Sequence, residues 1–249
     1  MALWGEETPD LRVRIRESAR ARRLCVRVHH DAQVEVVVPR GTPRVRVVRF
    51  LAEHDNWIAQ RVARLGKPAP VAFPPEEILL EALDERWRLH VAGGSGRLRL
   101  LEVAPGLLQL RGQGAPETGT AEAGAAARRL LRRWVVERAR LALPPRVDAF
   151  AAQMGCSVAG VQVRTQRTRW GSCSARRIIS LNAAVLFQPP RVLRYLLAHE
   201  LAHLKHMNHS RAFWAAVAAQ EPHWRELDRQ LLRGWERVPR WFRLRPTED

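Results

Sequence analysis

The chain has 249 residues, 46% of them hydrophobic, enough for one large domain or two modest ones around a packed core. No apolar run approaches the roughly 20 residues of a membrane span, and three scattered cysteines, Cys25, Cys156 and Cys173, argue against a disulfide framework. The 42 Lys and Arg against 25 Asp and Glu give a formal charge of +17, which would attract polyanions at low salt.

Only Lys67 and Lys205 are lysines, so the basic character is almost all arginine, as a biased composition would produce. That bias does not explain the shortage of acids. Nucleic acid is therefore kept as a secondary expected partner through the basic surface, although no helix-turn-helix, zinc-finger or single-strand-binding signature supports it. Residues 1–7 have neither the basic region nor the apolar core of a secretory signal. A cytoplasmic location with no membrane partner is expected.

Residues 1–115 read as a β-rich region with one inserted helix. Leu11 to Ile15 and Leu24 to Val28 alternate apolar and basic residues, as half-buried strands do, and Val34 to Val38 follows. Residues 44–65, with Val48, Leu51, Trp57, Ile58 and Val62, have helical spacing. Lys67 to Pro75 is Pro-rich and reads as a connector. Short strands are expected over Arg86 to Val91, Arg97 to Val103 and Leu107 to Leu110.

The Gly-rich stretch Gly112 to Gly119 makes a domain boundary, with a second domain over 120–249. An amphipathic helix over about Ala121 to Leu143 has Leu130, Leu131, Trp134, Val135 and Leu141 on one side and Arg128, Arg129, Arg132 and Arg133 on another. It reads as a core-packing helix with a solvated arginine face. Val161 to Thr165 and Ile178 to Leu181 read as strands flanking a turn at Trp170–Cys173. The second is the expected edge for binding an extended peptide. Trp224, Leu227, Leu231 and Trp235 are at helical spacing, and that carboxyl-terminal part is expected to pack over the back of the helix over residues 191–206. The fold class is α+β.

Pro189-Pro190 introduces a helix over residues 191–206. Leu193, Leu197, Leu201 and Leu204 form its apolar stripe, opposite Arg191, Arg194 and Lys205. Its segment His199-Glu200-Leu201-Ala202-His203 places two imidazoles one turn apart on one face, able to reach one ion. Glu200 projects near the leucine stripe, where a carboxylate is costly unless something holds it. A metal with its water explains that placement, with Glu200 as its base.

A catalytic zinc needs a third protein ligand and an open position. His206 lies about 10 Å beyond His199 along a regular helix and cannot join it there. His209 is better placed: Asn208 is a left-handed helix terminator and Ser210 an N-cap for the next helix, Arg211 to Gln220. Glu221 or Glu226 would instead give a two-histidine, one-glutamate site. Cys173 reads as a small packing residue.

The runs Arg169-Trp170-Gly171-Ser172-Cys173, Ile179-Ser180-Leu181-Asn182 and residues 199–214, HELAHLKHMNHSRAFW, resemble the YgjP-like zinc metallopeptidases, zincin-like relatives of the SprT type. The resemblance is strong over about 160–235. It is weaker upstream, at residues 18–23 and 38–41. It implies a zincin-like domain with Zn2+ on His199, His203 and His209, Glu200 as general base, and a peptide or protein substrate. Tyr195, Arg169 and Arg176 are then the expected donors to a developing oxyanion. The competing expectation is a basic nucleic-acid-associated protein whose zinc is structural. Such a site ordinarily takes four protein ligands.

Overall fold

The computed structural model describes residues 13–28, 34–65, 73–113, 115 and 121–243. The chain divides into two compact units, Met1–Val71 and Ala72–Asp249.

In the first unit, β3 (Val34–Pro39) is the middle strand of three. It runs parallel to β1 (Val13–Ser18) and antiparallel to β2 (Cys25–Val28). A middle strand is covered on both edges, and residues 34–38 are all buried. Val36, Val38 and Val47 form the core, with Val13, Ile15, Leu24, Val26 and Leu51 around it. The expected helix over 44–65 is two helices, α1 (Arg44–Glu53) and α2 (Asp55–Leu65), broken at His54. The His54 ring donates from Nδ1 to the Phe50 carbonyl at 2.8 Å. Val47 and Ile58 point inward, whereas Val48 and Trp57 are about half exposed. Leu11 and residues 67–72 of the Pro-rich connector lie outside the described residues, as does most of the Gly112–Gly119 stretch.

The second unit begins with a four-stranded sheet of β4 (Glu77–Leu80), β5 (Glu85–Ala92), β6 (Arg99–Ala104) and β7 (Leu107–Arg111). Its order is β4-β5-β7-β6, with β5 and β7 parallel. The last three strands were expected. β4 has no counterpart in the sequence reading, because its four residues offer only Ile78 and Leu80 as inward positions. The expected boundary near 115–120 is not where the compact units divide. Ile78, Leu80, Trp87, Leu89, Leu108 and Leu110 of this sheet share one core with Leu131 and Val135 of the following helix.

That helix, α3 (Ala121–Gln153), continues ten residues past its expected end and runs through Pro144 and Pro145. An interior proline costs about 3 kcal/mol of helix stability. Packing outweighs it here. Ala127, Leu131, Val135, Ala139, Leu143 and Val147 are all fully buried at every fourth position, so the stripe passes the prolines unbroken. Leu141, expected on the apolar side, is 70% exposed. The arginine side is partly a packing face. Arg128 lies over the Phe73 ring and Arg138 over Trp87, Arg138 also pairs with Glu85, and Arg132 donates to the Phe242 carbonyl.

A second sheet follows, of β8 (Gly160–Arg164), β9 (Gly171–Cys173) and β10 (Ile178–Asn182) in the order β8-β10-β9. β10, expected as an open edge, is the middle strand, parallel to β8 and antiparallel to β9. The segment expected as a turn is itself the edge strand β9. Three residues are too few to show an alternation. Helices α4 (Pro190–Ala202), α5 (Arg211–Gln220), α6 (Trp224–Arg233) and α7 (Arg240–Arg243) complete the unit. No helix among the described residues is long and apolar enough to cross a membrane.

Candidate metal centre

Pro190 occupies the first turn of α4, where its missing N–H costs nothing. The expected stripe is in place: Leu193, Leu197 and Leu201 are buried, while Arg191 and Arg194 are exposed. The helix stops at Ala202, four residues short of its expected end, with His203 as its cap. The N–H groups of Leu204 and Lys205 bond the carbonyls three residues back, of Leu201 and Ala202, which tightens the exit. Asn208 is not the left-handed terminator, since outside glycine only Asp84 and Arg177 have positive φ among the described residues. Ser210 does cap α5, its Oγ accepting from the Phe213 N–H at 3.3 Å.

This exit brings the third imidazole back to the first two. His199, His203 and His209 offer ligand atoms that all lie within 4.8 Å of one another. His199 Nε2 and His209 Nε2 are 3.2 Å apart, against about 3.3 Å between neighbouring nitrogens of a tetrahedral zinc with bonds near 2.0 Å. His203 Nδ1 donates to the His206 carbonyl at 3.0 Å, leaving the lone pair of that ring on Nε2. His206 thus contributes a carbonyl and not its ring. The buried Phe213 ring packs on all three imidazoles, with centroids 4.6–5.0 Å apart. The donor set fits a divalent metal.

The other candidates for the third ligand are occupied elsewhere. Glu221 is buried and accepts from Arg194 Nε at 2.5 Å, and Glu226 accepts from Gln230 at 3.2 Å. Cys173 also stays outside the cluster. Its thiol is pushed up by burial and by the Glu200 charge, partly offset by Arg177, and so remains protonated.

Glu200 is 5% exposed. Burial pushes its carboxyl up to about 8, only partly opposed by Arg169. Burial also drives His199 down to about 4, helped by the charges of His203 and His209, and lowers His203. Neutral imidazoles with free lone pairs are the form that binds a metal.

Three features of the site were not readable from spacing. Gly171 lies against Glu200 so closely that a Cβ there would sit 2.5 Å from Glu200 Oε1 and 2.9 Å from Cγ. Asn182, 2% exposed, clamps the loop that leads to Gly171. Its Nδ2 donates to the Gln166 and Arg169 carbonyls at 2.7 and 2.8 Å, and its Oδ1 accepts from the Ala184 N–H at 3.1 Å. Tyr195 is fully buried, its hydroxyl 2.7 Å from Asp228 Oδ1 and 3.4 Å from His199 Nδ1. A hydroxyl already donating to Asp228 has no proton left for an oxyanion, so Tyr195 leaves the list of expected donors. Arg176 sits exposed in the turn between β9 and β10, and Arg169 is the one of the three that acts on the Glu200 charge. Trp170 is buried and stacks on Trp235 with centroids 4.2 Å apart, an anchor for β9.

No curated protein matches this sequence. Among solved structures, the chain is similar to the metallopeptidase zymogen of Pyrococcus abyssi, abylysin. The identity is 26%, the match covers 36% of this chain and 91% of the other, and the TM-score is 0.34. The family description "YgjP-like, metallopeptidase domain" matches residues 22–233, and the chain belongs to that metallopeptidase family.

Proposed function

We propose that the protein is a zinc-dependent peptidase in which His199, His203 and His209 hold the metal and Glu200 is the general base. The observation that carries this reading is the convergence of three imidazoles in a chain of a metallopeptidase family, with the buried Glu200 next in sequence to the first of them. When bound, zinc supplies the Lewis acidity that makes a water nucleophilic near neutral pH and polarises a carbonyl.

The chain's own residues supply the rest. Glu200 takes the proton of the attacking water and passes it to the departing amine. Burial raises its proton affinity, which lets it hold the proton between the two transfers. Gly171 gives the carboxylate the room to sit there. β9 pairs with β10 along one edge only, and a substrate peptide is read as adding its backbone to the other. The alternative, a structural zinc in a nucleic-acid-associated protein, calls for a fourth protein ligand. The group among the described residues has three.

The test is elemental analysis of the purified protein alongside peptide-library cleavage by the parent and Glu200→Gln. Zinc in both and turnover lost by about 100-fold or more in the variant supports the proposal. Unchanged hydrolysis by the variant contradicts it.

A further inference from the structure

We infer that Tyr195 and Asp228 form a positioning pair that fixes the proton of His199 on Nδ1 and so turns its Nε2 lone pair toward the metal. The inference rests on the metal-site reading above and adds to it a link from α6.

The atoms leave one arrangement. The Asp228 carboxylate only accepts, so the Tyr195 O–H points to it across 2.7 Å. A phenol has one proton. Toward His199 Nδ1, at 3.4 Å, the same oxygen can therefore only accept, and the proton between them belongs to the imidazole. A neutral imidazole with its proton on Nδ1 carries its lone pair on Nε2. That is the atom lying 3.2 Å from His209 Nε2. The Asp228 charge polarises the O–H and makes its oxygen the better acceptor.

The surroundings hold this chain of groups in place. Tyr195 is one helical turn before His199 on α4, fully buried, with the two rings edge-to-face at 6.0 Å between centroids. His203 reaches the same tautomer through the His206 carbonyl. The two imidazoles of α4 are thus set by different devices, one by the main chain and one by a side-chain pair that includes another helix.

The experiment measures zinc affinity of the full chain by competition with a chromophoric chelator. It compares the parent, Tyr195→Phe, Asp228→Asn, Asp228→Ala and the double variant Tyr195→Phe/Asp228→Ala. Visible spectra of the Co(II) forms and metal-free melting curves accompany it. Expected are a loss of about 10–100-fold for Tyr195→Phe and for Asp228→Ala, and a smaller one for Asp228→Asn, whose amide oxygen still accepts. The double variant binds no more weakly than Tyr195→Phe, because Asp228 acts through the tyrosine. The Co(II) bands shift in each.

Affinity of Tyr195→Phe within twofold of the parent, losses that multiply in the double variant, or a lowered melting point with zinc affinity and Co(II) bands unchanged overturns the pair. Asp228 is only partly buried, so Asp228→Ala, which removes the acceptor, carries the test should Tyr195→Phe not fold. A parent that binds no zinc, or His209→Ala binding it like the parent, overturns the metal-site reading and the pair together. A parent that binds through the histidines with Tyr195→Phe unaffected overturns the pair alone.

Discussion

Glu35 in the amino-terminal unit and Glu200 in the second are both buried acids, 8% and 5% exposed, and they are handled in opposite ways. Glu35, on the middle strand β3, accepts from Arg16 Nε of the neighbouring strand at 3.0 Å. Glu221, in the same unit as Glu200, is likewise held by Arg194 at 2.5 Å. No ion pair reaches Glu200 among the described residues, and its proton affinity rises instead. A buried carboxylate with an arginine is a fastening. One left without such a partner, as Glu200 is, fits the proton-exchanging role proposed for it.

The sharpest way to break this contrast is Gly171→Ala. The added methyl meets Glu200 at its carboxylate and at Cγ, and a buried side chain has little room to yield. Hydrolysis falls by about 100-fold or more, as a displacement of about 1 Å in a catalytic group costs, while zinc content stays at the parent's level. Kinetics with elemental analysis checks both. Full activity in this variant would mean that the close approach does not set the position of Glu200.

Asn182→Ala comes next. It takes the partner from the Gln166 and Arg169 carbonyls and from the buried Ala184 N–H, a loss of about 1–3 kcal/mol of stability readable by urea unfolding. A loss below about 1 kcal/mol would show that the loop before β9 is held by other contacts.

The pH dependence of the metal-free protein singles out the Glu200 carboxyl. The folded Glu200 keeps its proton up to about 8 against an ordinary 4.5, so the unfolded chain gives up a proton first and stability is lost as pH rises from 4.5 to 8. His199 has the opposite sign. Its ordinary 6.5 drops to about 4, so stability is lost as pH falls from 6.5 to 4. The two slopes cancel between 4.5 and 6.5. In Glu200→Gln only the histidine slope remains, and the variant gains on the parent steadily between pH 5 and 8. Melting curves across that range check it, and a constant difference between the two would contradict it.

The smallest effect belongs to the other unit. Val47→Ala opens a cavity beside Val36 and Val38 and costs about 1–3 kcal/mol. Zinc affinity stays within twofold, since every residue of the metal centre lies in Ala72–Asp249.

The parts of this contrast differ in how far the sequence discloses them. His199, Glu200 and His203 are local, and their spacing on one helix is enough to propose them. Ser210 and α5 were equally legible, because a cap and an apolar run are short-range signals. α3 was cut short because proline is a local breaker, while the buried stripe that overrides it is a tertiary effect. β4 and β9 were missed because three or four residues carry no period. The roles of Gly171, Asn182 and Asp228 were invisible for another reason. Each acts on a side chain or loop from a different element, and no pattern within one segment encodes that meeting. The signal available was faint: Gly171 and Asn182 stand inside the runs that carry the family resemblance, whereas Asp228 stands outside them.

The most direct test of the account is zinc stoichiometry and affinity in the parent, His209→Ala and Glu221→Gln. One zinc per chain in the parent and in Glu221→Gln, with affinity lowered by about 100-fold or more in His209→Ala, is the predicted result. One zinc retained at the parent's affinity by His209→Ala would contradict the claim that these three imidazoles make the site.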